Sequence, residues 1–173
     1  FALGMLFMLN NPAQAFYTDM NENHWAYQSL KFLTEVGVVV GYPDGTYKPD
    51  IPVTRAEFAS MAIKALGQED ASVTQDIHFS DVDKSFWAYD IIRKAVYFDL
   101  IPDAEGQRFR PYESVTRAEA ITIAVNALTT QQISEQRAQE IIEKSYEDYT
   151  QMPAWFLIAA GKAQLLDLII VMP

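Results

Sequence analysis

The phrase Val53-Thr54-Arg55-Ala56-Glu57-Phe58 returns 62 residues later as Val115-Thr116-Arg117-Ala118-Glu119-Ala120. In each phrase Thr and Glu stand three apart, the spacing of a capping box. The Thr hydroxyl accepts from the third helical amide and the Glu carboxylate reaches back to the cap amide. Each phrase therefore predicts a helix start, with Thr54/Glu57 and Thr116/Glu119 as structural cap pairs. Ala56 and Ala118 favour the helix and allow close packing. Capping leaves Arg55 and Arg117 unexplained. They fall in the first turn, where the helix dipole disfavours a cation. Such a cation either holds a carboxylate or phosphate together with free first-turn amides, or pairs with an acid of the chain such as Asp19, Asp44 or Asp50.

Laid over itself at an offset of 62, the chain matches from 17–66 onto 79–128 without a gap. Identical pairs include Asp19/Asp81, Trp25/Trp87, Ala26/Ala88, Tyr27/Tyr89, Pro49/Pro111 and Leu66/Leu128, and Tyr47/Phe109 and Lys48/Arg110 are conservative. A weaker third copy opens at Tyr146, where Tyr146, Asp148 and Trp155 take the places of Tyr17, Asp19 and Trp25 with one residue inserted. A fixed period of this kind is the mark of a repeat architecture. The expected organisation is a first repeat over 16–67, a polar linker over 68–77, a second repeat over 78–129, a linking helix over 130–145 and the first half of a third repeat over 146–173.

Apolar spacing predicts helices over 24–36, 55–66, 86–97 and 117–128. Asn21 or Asn23 is expected to cap the first, and Gly37 to end it. Pro43-Asp44-Gly45 signals a turn between short extended pieces. The fold class is mostly α, in tandem helix–loop–helix units. The three tryptophans each open a helix and are expected in the core of their own repeat, the alternative being the wall of a ligand groove.

Composition narrows the function. The 173 residues are 50% hydrophobic and 21% charged, a globular balance, and carry a net charge of −10. No basic stripe is present to neutralise phosphates, which argues against nucleic acid. With no cysteine and two histidines, no metal site and no cofactor is expected, and Pro43–Asp50 lacks the ladder of a calcium loop. No acid/base pair stands beside a nucleophile, so no enzyme is expected in this region. The apolar run Phe1–Leu9 followed by Ala13-Gln14-Ala15 reads as the core and cleavage site of a secretory signal. Residues 1–15 are thus expected to be a signal peptide remnant, placing the protein outside the cytoplasm. The run is too short to span a bilayer.

The Tyr17-Thr18-Asp19 opening, the Trp25-Ala26 pair, the GYPDGTYKPD loop at 41–50 and VTRAEFA at 53–59 together resemble an S-layer homology domain. The resemblance covers about 17–128 fully and 146–173 in part. It implies a pseudo-threefold helical bundle with short extended loops. It further implies non-covalent anchoring at the bacterial cell envelope through a peptidoglycan-associated secondary cell-wall polymer, an anionic or pyruvylated glycan. By the same resemblance Arg55 and Arg117 would meet the acidic group of the sugar, Trp25, Trp87 and Trp155 would wall the grooves, and Asp44 and Gly45 would add loop contacts. The second repeat departs from the pattern, with DAEGQRF at 103–109 in place of GYPDGTY, and the third copy brings no arginine. Two alternatives stay open. One is a structural or self-association module of a surface layer or outer-membrane protein, with the arginines in interface ion pairs. The other is binding to polyamine-modified peptidoglycan, which an acidic surface suits.

Overall fold

A computed structural model describes residues 17–101, 107–128 and 133–169. The signal reading of 1–15, part of the 103–109 departure and the last residues to Pro173 lie outside the described residues. Among those described there are six α-helices: α1 (Tyr27–Glu35), α2 (Arg55–Ala65), α3 (Tyr89–Tyr97), α4 (Arg117–Ala127), α5 (Glu135–Ser145) and α6 (Ala154–Leu165), with a 3-10 turn at Tyr149–Gln151. Extended pairing among them is confined to one antiparallel bridge between Thr54 and Ser114. The protein is mostly α. It divides into two compact units, Phe1–Ile51 and Pro52–Pro173.

In the first unit α1 starts later than the apolar pattern predicts, and neither asparagine caps it. Its cap position is Ala26, with no side-chain bond. Asn21 instead accepts the Asn23 amide at 2.8 Å, and His24 Nδ1 accepts the Ala26 amide at 3.2 Å. These short-range bonds hold 21–26 in turns and postpone the helix. The far end closes as expected. Gly37 takes φ 78°, its amide donates to the Thr34 carbonyl at 3.0 Å, and the Val38 amide donates to Leu33 at 2.8 Å. This is a Schellman closure, which needs a left-handed residue. The same pair of bonds ends α3 at Asp99 and α6 at Asp167, with φ of 56° and 55°.

The aromatic-x-Asp opening is a clasp for the loop that follows. Asp19 accepts the Tyr47 amide at 2.8 Å and the Lys48 amide at 2.6 Å, and Tyr17 packs on Tyr47 with ring centroids 5.6 Å apart. In the second unit Asp81 accepts the Phe109 amide at 2.7 Å and the Arg110 amide at 2.8 Å, and Phe79 packs on Phe109 at 5.5 Å. Lys48 and Arg110 both have positive φ, a strain that two charge-assisted bonds per clasp offset. Gly41 lies under the Tyr17 ring, where a Cβ would strike the ring and the Thr46 carbonyl.

The second unit holds the main core: Ala56, Ala59 and Ile63 of α2, Ile92 and Ala95 of α3, and Phe79, Ala88, Leu100, Phe109 and Ile123 around them. Helix α2 packs on α3 and α4, and α6 packs on α4 and α5. Of the linking helix expected over 130–145, α5 covers Glu135–Ser145, and 130–132 lie outside the described residues. Ser134 caps α5 by accepting the Arg137 amide at 3.3 Å. Helices α5 and α6 meet at Ala138 and Gly161, where a Cβ on Gly161 would fall on the Ala138 carbonyl. The polar stretch 68–77 is tied down. Val73 and Ile77 are buried, and the buried Lys94 donates to the Glu69 carbonyl while pairing with Asp90 at 2.6 Å.

Candidate functional site

Both arginine phrases form complete capping boxes, Thr54 with Glu57 and Thr116 with Glu119. Beyond that the two helix starts differ. The first-turn amides of α2 are engaged: Arg55 donates its backbone N–H to the Glu113 carbonyl at 2.9 Å and Ala56 donates to Pro111 at 3.1 Å. No free amide remains there to join Arg55 in holding an anion. Its guanidinium is also engaged. Nε donates to the Phe109 carbonyl at 2.6 Å, Nη1 forms an ion pair with Glu119, and the group lies over the Phe109 ring at 4.9 Å. The acid that pairs with Arg55 is therefore Glu119, not Asp19, Asp44 or Asp50. The repeat offset that identified the two phrases gave no signal that one phrase clasps the other.

Glu119 accepts from four directions: the Thr116 amide and hydroxyl at 2.9 Å each, Arg55 and Arg110 Nη2 at 3.2 Å. Burial opposes its ionisation, yet the Thr116 bonds and the Arg55 guanidinium outweigh it and hold the carboxyl below its ordinary range. Arg117 stands apart. It is exposed, carries no ion pair among the described residues, and borders a cavity of about 350 Å³ with Ile121, Tyr146, Met152, Phe156 and Ala160.

The tryptophans are not core residues. Trp25 is 90%, Trp87 59% and Trp155 56% exposed. In the second repeat the residue beside Trp87 takes the interior position, Ala88 being fully buried, because a small side chain lets α3 close on α2. Trp25 lies against His24 in the first unit, and Trp87 against Phe86, whose ring meets Tyr112 edge-on at 5.3 Å. Asp44 and Gly45 serve their own turn. Asp44 accepts the Thr46 amide at 3.0 Å and hydroxyl at 2.5 Å, bonds that lower its pKa, and the Gly45 carbonyl accepts the Thr18 amide at 3.0 Å.

A large concavity of the second unit brings Arg55 and Trp155 together. It is a groove of about 730 Å³, floored by Phe79, Leu100, Phe109, Ile123 and Val125 and walled by Trp155, Ile158 and Lys162 of α6. Arg55, Arg108, Arg110 and Lys162 face it against Asp99, Glu119 and Glu135, so four cationic side chains meet three carboxylates. Glu119 is neutralised by Arg55 and Arg110, while Arg108 has a 71% exposed side chain and only a 3.5 Å approach to Asp81. Lys162 has no ion pair among the described residues. Sequence reading missed Arg108, Arg110 and Lys162. Lys48/Arg110 was visible as a repeat pair, but Lys162 had no such signal.

A groove floored by apolar residues, with an exposed indole and weakly paired cations at its rim, is suited to an elongated polar ligand with an anionic group. The sequence profile of the S-layer homology domain matches residues 16–59 and 78–121. The chain belongs to the S-layer homology domain family. Relatives include cell surface glycoprotein 1 of Acetivibrio thermocellus, 36% identical over 65% of this chain and 5% of that protein. The cellulosome-anchoring protein of the same organism is 33% identical over 65% of this chain and 26% of its own length. An endoglucanase of Bacillus sp. (strain KSM-635) is 28% identical over 88% of this chain and 16% of its length. This S-layer homology chain thus spans a small part of each of these relatives. Among the described residues no helix is long and apolar enough to cross a membrane.

Proposed function

We propose that the chain is a non-catalytic anchoring module that holds the protein carrying it at the cell wall by binding a wall-attached glycan. The groove walled by Trp155 carries this reading. An exposed indole offers a flat apolar face to a sugar ring, and Lys162 and Arg108 offer cations at its rim in a chain of net charge −10. The names of the relatives, cellulosome-anchoring protein and cell surface glycoprotein among them, support an anchoring role. The glycan is anionic, with a pyruvylated or otherwise acidic secondary polymer as the favoured form. Arg55 acts in this groove by fixing its wall through Glu119 and Phe109, and Lys162 and the weakly paired Arg108 meet the acid.

The same proposal takes 16–67 and 78–129 as full repeats and 146–173 as the first half of a third, reached by export through the segment 1–15. Identical helix closures at Gly37, Asp99 and Asp167 support the third copy.

Co-sedimentation with purified wall sacculi tests the reading, using native sacculi and sacculi stripped of secondary polymer. The wild-type chain is expected to sediment with native sacculi only. Lys162→Ala with Arg108→Ala is expected to abolish that binding, and Trp155→Ala to weaken it at least tenfold. Binding that survives stripping and the double substitution would point to peptidoglycan or its polyamines. Absence of sedimentation, with self-association in solution, would point to the structural module.

A further inference from the structure

Lys94 and Lys162 hold the same place in successive repeats: they stand 68 residues apart, as do Trp87 and Trp155, and Asp99 and Asp167. Lys94 is used internally. It is 6% exposed, pairs with Asp90 one turn back at 2.6 Å and donates to the Glu69 carbonyl. In the third copy Ile158 takes the place of Asp90. Lys162 therefore has no acid one turn back on its own helix. Its half-buried side chain lines the groove without an ion pair or hydrogen bond among the described residues. Partial desolvation makes an unpaired charge more costly and strengthens its attraction to an external anion.

The same groove leaves two carboxylates over. Glu119 is matched by Arg55 and Arg110. Asp99 and Glu135, both exposed, line the groove with no ion pair or side-chain hydrogen bond among the described residues. The closure of α3 fixes Asp99 at φ 56°, next to the buried Leu100 of the floor. Glu135 opens α5, the helix on which α6 packs. The charges left over are thus of both signs, Lys162 and the weakly paired Arg108 against Asp99 and Glu135. A glycan carrying acids alone would satisfy the cations but bring its charge up to two carboxylates that nothing neutralises.

We propose that the acidic glycan held in this groove also carries a protonated amine, as a sugar with an unacetylated amino group does. The acid meets Lys162 and Arg108, the ammonium meets Asp99 and Glu135, and a sugar face lies on Trp155. The inference rests on the glycan reading of the groove and narrows it to a zwitterionic segment.

The test uses the full chain and wall polymer released from sacculi, either intact or N-acetylated with acetic anhydride in aqueous bicarbonate. Acetylation removes the charge of the amine and keeps the acid. Calorimetry at about 0.15 M salt reads the affinity. Acetylation is expected to weaken binding at least tenfold. Asp99→Asn combined with Glu135→Gln should lose a similar factor on the intact polymer and bind both forms alike. These substitutions keep side-chain size at exposed positions, and Asn visits left-handed backbone readily, so the fold is retained. If the acid alone is recognised, acetylation changes nothing and the double variant binds more tightly. Either of those results overturns this inference and leaves the glycan reading standing. Failure of the wild-type chain to bind the intact polymer overturns both.

Discussion

Arg55 and Glu119, 64 residues apart, form an ion pair whose side chains are only 15% and 18% exposed. Each is a member of its own helix start, so the pair ties the N-terminus of α2 to that of α4. Removing one partner of a pair this sheltered leaves a charge without compensation. Breaking a fully buried pair costs about 3–5 kcal/mol, and residual exposure brings the expectation here to about 2–3 kcal/mol for Arg55→Ala or Glu119→Gln. The double substitution should cost clearly less than the sum of the singles, because both remove the same interaction. Denaturant unfolding of the four proteins measures the cycle, and additive losses would show that the pair is not coupled.

Acid should weaken this tie in a definite window. Glu119 is held below its ordinary value of 4.5, and Asp19 below 3.8, chiefly by the Tyr47 amide. A group whose folded pKa is depressed contributes stability that is present above its unfolded pKa and lost as pH falls through the folded one. Stability should therefore stay flat from pH 7 to about 5 and decline below about 4.5, measured near 0.15 M salt so that general repulsion in this acidic chain is screened. Glu119→Gln should flatten part of that decline. An unchanged acid limb in the variant would assign the decline to other carboxylates, such as Asp44, Asp76 and Asp90, which are also held low.

The Schellman closures of α1, α3 and α6 carry glycine once and aspartate twice. Left-handed backbone costs a non-glycine residue on the order of 1 kcal/mol, while glycine loses roughly 0.5 kcal/mol more entropy on folding. Asp167→Gly should therefore stabilise the second unit, and Gly37→Ala should destabilise the first, each by about 0.5 kcal/mol. Thermal unfolding of both variants checks the opposite signs.

What the sequence made legible was local or periodic. The capping boxes, the end of α1 at Gly37 and the helical repeat follow from residue types at short spacing, and the closures at Asp99 and Asp167 occupy the repeat position of Gly37. The partner of Arg55 was not legible, because the offset aligns like with like while the pair joins unlike positions of successive repeats. The tryptophans misled for a related reason. A large apolar ring at a helix start suggests a core, but the alanine beside Trp87 fills that role and the indole is left outside. The groove escaped because it draws on Arg108, Gln107 and α6, whose side chains converge only once α6 packs on α4.

That packing rests on Gly161, where α6 crosses α5 with no room for a Cβ above the Ala138 carbonyl. Its neighbours Ala159, Ala160 and Ala163 are also small and buried, and at Gly161 itself the two backbones approach closely. Forcing extra carbon into such an interface costs about 1–3 kcal/mol, and the relief available is a shift of α6 as a body. Trp155 and Lys162 both stand on α6 and both wall the groove, so the shift should carry them away from Arg108 and Arg110. Gly161→Val is therefore expected to lower stability by about 2 kcal/mol. It should also weaken sedimentation with wall sacculi at temperatures where the variant is still fully folded. Lys144→Ala, on the exposed face of α5, serves as the control and should alter neither property. Loss of stability with undiminished wall binding would show that the placement of α6 is not what aligns the groove.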